Sequence, residues 1–126
     1  MTQGFFAHRI CYKHRIYRQH ILFLNESNQI SGIEPFSNET ANTTFHDGIL
    51  IVSSSAFHLH LNEFLHTLKE QLEEPGISVL QAIIGNPVYN NHIPDIQTPC
   101  SLYNISDICW KNERPASIIK LDTILH

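Results

Sequence analysis

The sequence predicts a mainly β domain, α+β by content. Strands from the two ends of the chain are expected to build one small β-sandwich or rolled sheet, with two short helices in the middle. Three observations lead there. Aromatic and β-branched residues fill 5–12 (FFAHRICY) and 15–24 (RIYRQHILFL). The apolar period then switches to helical spacing at Phe57, Leu61, Phe64, Leu65, Leu68 and Leu72. Strand-like runs return at the end as SLYNIS and SIIKLDTIL. Each strand group is too small to be stable alone, so both should join one sheet system.

The elements follow in order. Lys13 and His14 mark a turn between the first two strands. Asn25-Glu26-Ser27-Asn28 is a cluster of turn formers, and the run QISGIEPF after it completes a hairpin. Residues 37–47, SNETANTTFHD, are polar and read as loop, and Gly48–Val52 reads as a short strand buried on both faces. The N-terminal strands thus occupy about 5–52. Helices occupy about 56–85: one of Ser53 to Ser55 caps the first, and Glu73-Glu74-Pro75-Gly76 stops it. Ser78 caps the second, which Gly85 closes. Residues 86–99 carry three prolines and read as irregular. C-terminal strands fill about 100–125, with a turn around Asp107.

The chain of 126 residues is expected to be a single domain, 1–126, able to bury a core without staples. A formal net charge of -4 argues against bulk attraction to nucleic acid or anionic membrane. No run approaches the ~20 apolar residues of a membrane span. No secretory signal is evident at the start. The three cysteines, Cys11, Cys100 and Cys109, form no CxxC pair and read as reduced thiols of a cytoplasmic protein.

The order of elements resembles the β-sandwich composite domain of the amidohydrolase superfamily of metal-dependent hydrolases. AHRI, HILFLNESNQISGIEPF and FHDGILIV are similar to that family's opening strands, and TPCSLYNISDICWKNERPASIIKL to its closing ones. ISVLQAIIG faintly resembles the helix before them. The resemblance implies a catalytic barrel inserted between the two groups, whose first strand ends in a metal-binding His-x-His. His58 and His60 fall where that pair would lie, ten and twelve residues after Gly48. The departures are large. Ser53-Ser54 replaces the family's Pro-Gly, and a (β/α)₈ barrel needs roughly 200 residues, far more than this chain has between the histidines and the closing pattern. The barrel is missing, together with the family's other ligands and catalytic aspartate.

The candidate metal ligands are therefore His58 and His60. Residues i and i+2 share a face on a strand but diverge by about 200° on an α-helix, and the helical period around Phe57 and Leu61 absorbs the pair. Glu63 and His66 add one E-x-x-H, whereas helical di-metal sites use two. The stretch HRICYKHRIYRQH, with Arg9, Lys13, Arg15 and Arg18 and no acid, suits phosphate-bearing ligands, or a blunted sheet edge.

The expectation is a non-catalytic domain of interaction or oligomerisation type, a vestigial relative of the amidohydrolases. It has no catalytic residue and no cofactor. It would assemble with itself or with a protein that covers the helical face. Neither membrane nor nucleic acid is expected as a partner. The alternative is a small metal-binding protein or hydrolase using His58 and His60 with zinc or another divalent metal.

Overall fold

A computed structural model describes residues 2–37, 42–106, 109–111, 114–117 and 120–125, giving the backbone alone within 109–120. The first hairpin pairs β1 (Gln3–Tyr12) with β2 (Arg15–Leu24). Its two-residue turn is Lys13-His14, at φ 49° and 63°. Left-handed values at both positions match the right-handed strand twist. The Asn25 side chain organises the next turn by accepting from the amides of Ser27 and Gln29. That turn leads into β3 (Ile30–Pro35). β4 (Thr43–Ser54) then runs parallel to β1.

β4 is longer at both ends than the sequence implied. Of residues 37–47, expected as loop, Thr43–His46 pairs with the start of β1, and Ser53 and Ser54 extend the strand against β5. Position 48 requires glycine, since a Cβ there would collide with the Ile105 carbonyl of the neighbouring strand.

Ser55–His60 forms a 3₁₀ turn that feeds α1 (Leu61–Leu72). Ser54 is its N-cap residue but makes no side-chain capping bond. α2 (Val79–Ile84) opens at Ser78, the cap the sequence implied, and the structure adds a full capping box between Ser78 and Gln81. The segment read as irregular contains a further short helix, α3 (Pro87–Asn90), with Asn86 as N-cap and proline in its first turn. β5 (Cys100–Ser106), β6 (Cys109–Lys111), β7 (Arg114–Ser117) and β8 (Lys120–Leu125) follow. The turn expected around Asp107 lies outside the described residues.

The main sheet has the order β3-β2-β1-β4-β5-β8, so strands from both ends of the chain share it and the helices are inserted between them. β6 and β7 form a separate hairpin. Of the sandwich and the roll, the chain takes the roll. The Cys100 amide donates to the Asn28 carbonyl at 2.8 Å, and Gln29 Nε2 donates to the Gln97 carbonyl at 2.6 Å. These bonds tie the β2–β3 turn to the start of β5, although three strands separate β3 from β5 in the sheet. The concave side holds one core, with Phe5, Ile10, Leu22, Leu50 and Leu102. The other side holds a second, in which Ile49, Ile51, Tyr103 and Ile105 meet Phe57, Phe64, Leu68 and Ile83 of the helical segment. The helices therefore cover the sheet in cis.

Candidate functional site

His58 and His60 both fall in the 3₁₀ turn, which places neither on a strand. At three residues per turn, positions two apart are rotated by about 240°, so the two rings leave the backbone in different directions. His58 is exposed, whereas His60 is half-buried and stacks on His92, centroids 4.7 Å apart and planes at 22°. His60 Nδ1 lies 3.5 Å from Glu63 Oε2. His92 also leans on Phe57, at 5.9 Å. The fold thus gathers His60, His92 and Glu63, and leaves His58 apart from that group. The Glu63/His66 motif divides too: His66 pairs with Glu70 at 2.9 Å on the exposed helix face.

Burial lowers the pKa of His92, the neighbouring His60 lowers it further, and Glu63 opposes both. Two imidazoles and a carboxylate are the ligand types of a His₂Glu zinc site, but type alone does not make one. Among the described residues no group of three His, Cys, Asp or Glu is placed to hold a metal ion. Cys11 and Cys100 are free and buried. Burial pushes the Cys11 thiol up to about 12 and the Cys100 thiol up to about 11. At neutral pH both are protonated and poor nucleophiles. The Cys109 side chain lies outside the described residues.

The arginine-rich hairpin forms as expected, and its register adds a feature that composition does not show. Arg9 stands directly opposite Arg18, two like charges on one face. Lys13 Nζ lies 5.4 Å from the Tyr12 ring centroid, and the Arg15 guanidinium 5.6 Å from that of Tyr17. β2 is a true edge only over its first half, because β3 pairs with it from His20 onward. The edge-blunting role therefore applies to Arg15–Arg18 and not to the whole hairpin. Charge is sharply divided along the chain. The first 25 residues hold four of the eight Lys and Arg and none of the twelve carboxylates. Four of those carboxylates, Glu63, Glu70, Glu73 and Glu74, lie on α1 or just after it.

Sequence reasoning missed His92, which nothing in the run NNHIPD connects to position 60. It also missed Tyr89 and Asn86, whose roles depend on a helix that was not expected. No family model matches the chain, and no curated protein or solved structure matches it significantly.

Proposed function

We propose that the protein is a non-catalytic β domain of the amidohydrolase composite type, without the barrel, acting in the cytosol as an interaction and oligomerisation module. The observation that carries this reading is the charge division. Like charges directly opposite each other in an antiparallel pair are destabilising, and an acidic partner surface offsets the charge of the exposed Arg18. A second copy offers such a surface on α1, where Leu59 beside it is 83% exposed. This assembly covers the helical face. Strands from both chain ends in one sheet, with helices between them, support the likeness to the composite domain. Buried free thiols support a reducing compartment.

The alternative, a metal-binding protein or hydrolase with zinc or another divalent ion, draws support from one observation, the His60–His92 stack beside Glu63. In that reading His92 replaces His58 as the second ligand. Elemental analysis of protein purified without chelator separates the two. Metal near zero is expected. A stoichiometric metal that disappears in His60→Ala/His92→Ala, together with metal-dependent hydrolysis of cyclic amides, overturns the module.

A further inference from the structure

The sheet face that carries the helices changes character at one end. Ile49 and Ile51 of β4, with Tyr103 and Ile105 of β5, belong to its core. One step further in the alternation, Ser53 and Ser101 come to the same face, and the register sets them directly opposite each other. Ser53, Ser101 and Tyr103 are all fully buried. The Phe57 ring of the 3₁₀ turn packs edge-on against the Tyr103 ring, centroids 5.6 Å apart and planes at 76°. Hydrocarbon therefore closes over a group of hydroxyls.

The hydrogen bonds of that group are incomplete. Ser53 Oγ donates to the Ser54 carbonyl at 3.1 Å and to the Ser101 carbonyl at 3.4 Å. Its proton is used, so its oxygen can only accept. Ser101 Oγ and Tyr103 Oη have no hydrogen-bond partner among the described residues. The two are close neighbours nonetheless: burial raises the Tyr103 pKa, and the Ser101 hydroxyl partly offsets the rise. Thr123, across from Tyr103 on β8, is exposed and makes no bond to it. Desolvated hydroxyls are costly, and protein interiors meet them with protein groups or ordered water. A water molecule donates as well as accepts, and a buried one makes about three bonds. The serines are the smallest side chains on a face otherwise built from isoleucine and tyrosine.

We infer that Ser53, Ser101 and Tyr103 form a binding site for one buried, ordered water molecule, held beneath the 3₁₀ turn. The water donates to Ser53 Oγ and completes the bonds of the Ser101 and Tyr103 hydroxyls. It leaves only when the turn lifts Phe57 from Tyr103, so its residence time reports on the opening of that turn. The site goes beyond the module reading and stands independently of it, since it needs no second copy.

The test is magnetic relaxation dispersion of the water oxygen in solutions of the full chain, which counts long-lived internal waters without a contribution from hydroxyl protons. Ser101→Ala/Tyr103→Phe should lose one such water relative to wild type. Thermal melts of Tyr103→Phe give a second reading. Where a water completes the site, the variant strips it of a partner and the melting midpoint falls. Where the phenol is merely unbonded, its removal from an apolar setting raises the midpoint. Each substitution deletes a single oxygen, so the fold is retained. Two results overturn the site: an unchanged count of long-lived waters in the double variant, or a higher midpoint for Tyr103→Phe. Neither reading depends on self-association, so failure here leaves the oligomerisation reading standing.

Discussion

The Tyr89 hydroxyl reaches two backbone carbonyls, Cys11 at 2.9 Å and Val52 at 2.8 Å, one on each of the two parallel strands. The β1–β4 ladder ends at Cys11 and Ile51, so the phenol serves oxygens at its margin. Tyr89 is 1% exposed, and its single hydroxyl proton is shared between the two carbonyls. Tyr89→Phe should cost about 1–3 kcal/mol in urea unfolding. A loss below a few tenths would mean that water replaces the phenol. His92 and His46 give the fold a pH dependence. Burial, the larger cause in each case, lowers their pKa from 6.5. Below that value the unfolded chain takes up the protons more readily than the native one. Stability should therefore fall as pH drops through about 6.5, and His92→Gln should flatten that slope in denaturant midpoints measured from pH 7 to 5. None of this was legible in the sequence, because burial and the 60–92 contact are set by tertiary packing.

Asn86 couples two helices as an element-scale device. Its Oδ1 accepts from the amides of Val88 and Tyr89, capping α3, while its Nδ2 donates to Thr67 and Gln71 of α1. The residue is fully buried, so every lost bond leaves a desolvated group. Asn86→Ala should cost about 2 kcal/mol or more, and Asn86→Asp should fare little better, since it keeps the cap but loses both donors. Thermal melts of the two variants check this. At this scale the sequence was informative where local rules act alone. The Lys13-His14 turn, the Asn25 turn and the Ser78 cap all formed where propensity placed them. It misled where tertiary contacts override propensity. Thr43–His46 is mostly polar yet paired, because Gly4–Ala7 of β1 offers backbone partners in register. The 3₁₀ turn at Ser55–His60 tightened what the apolar period presented as ordinary α-helix, and in either geometry His58 and His60 part company.

For the whole molecule, the roll depends on close approach of β4 and β5 at Gly48. A Cβ there meets backbone of β5 that cannot yield without moving the sheet. Gly48→Ala should destabilise by about 3 kcal/mol, read from the melting midpoint. The joining of N- and C-terminal strands was legible because neither set could bury a face alone. The choice of roll over sandwich was not, since it rests on Asn28 and Gln97, whose bonds carry no sequence signal. The central claim is that oppositely charged faces bring copies of this chain together. Sedimentation equilibrium of wild type and Arg18→Glu, at low and high salt, tests it most directly. The account predicts association at low salt that weakens as salt screens it and is lost on charge reversal. A wild-type chain that stays monomeric at every concentration and salt, or associates regardless of both salt and reversal, would contradict it.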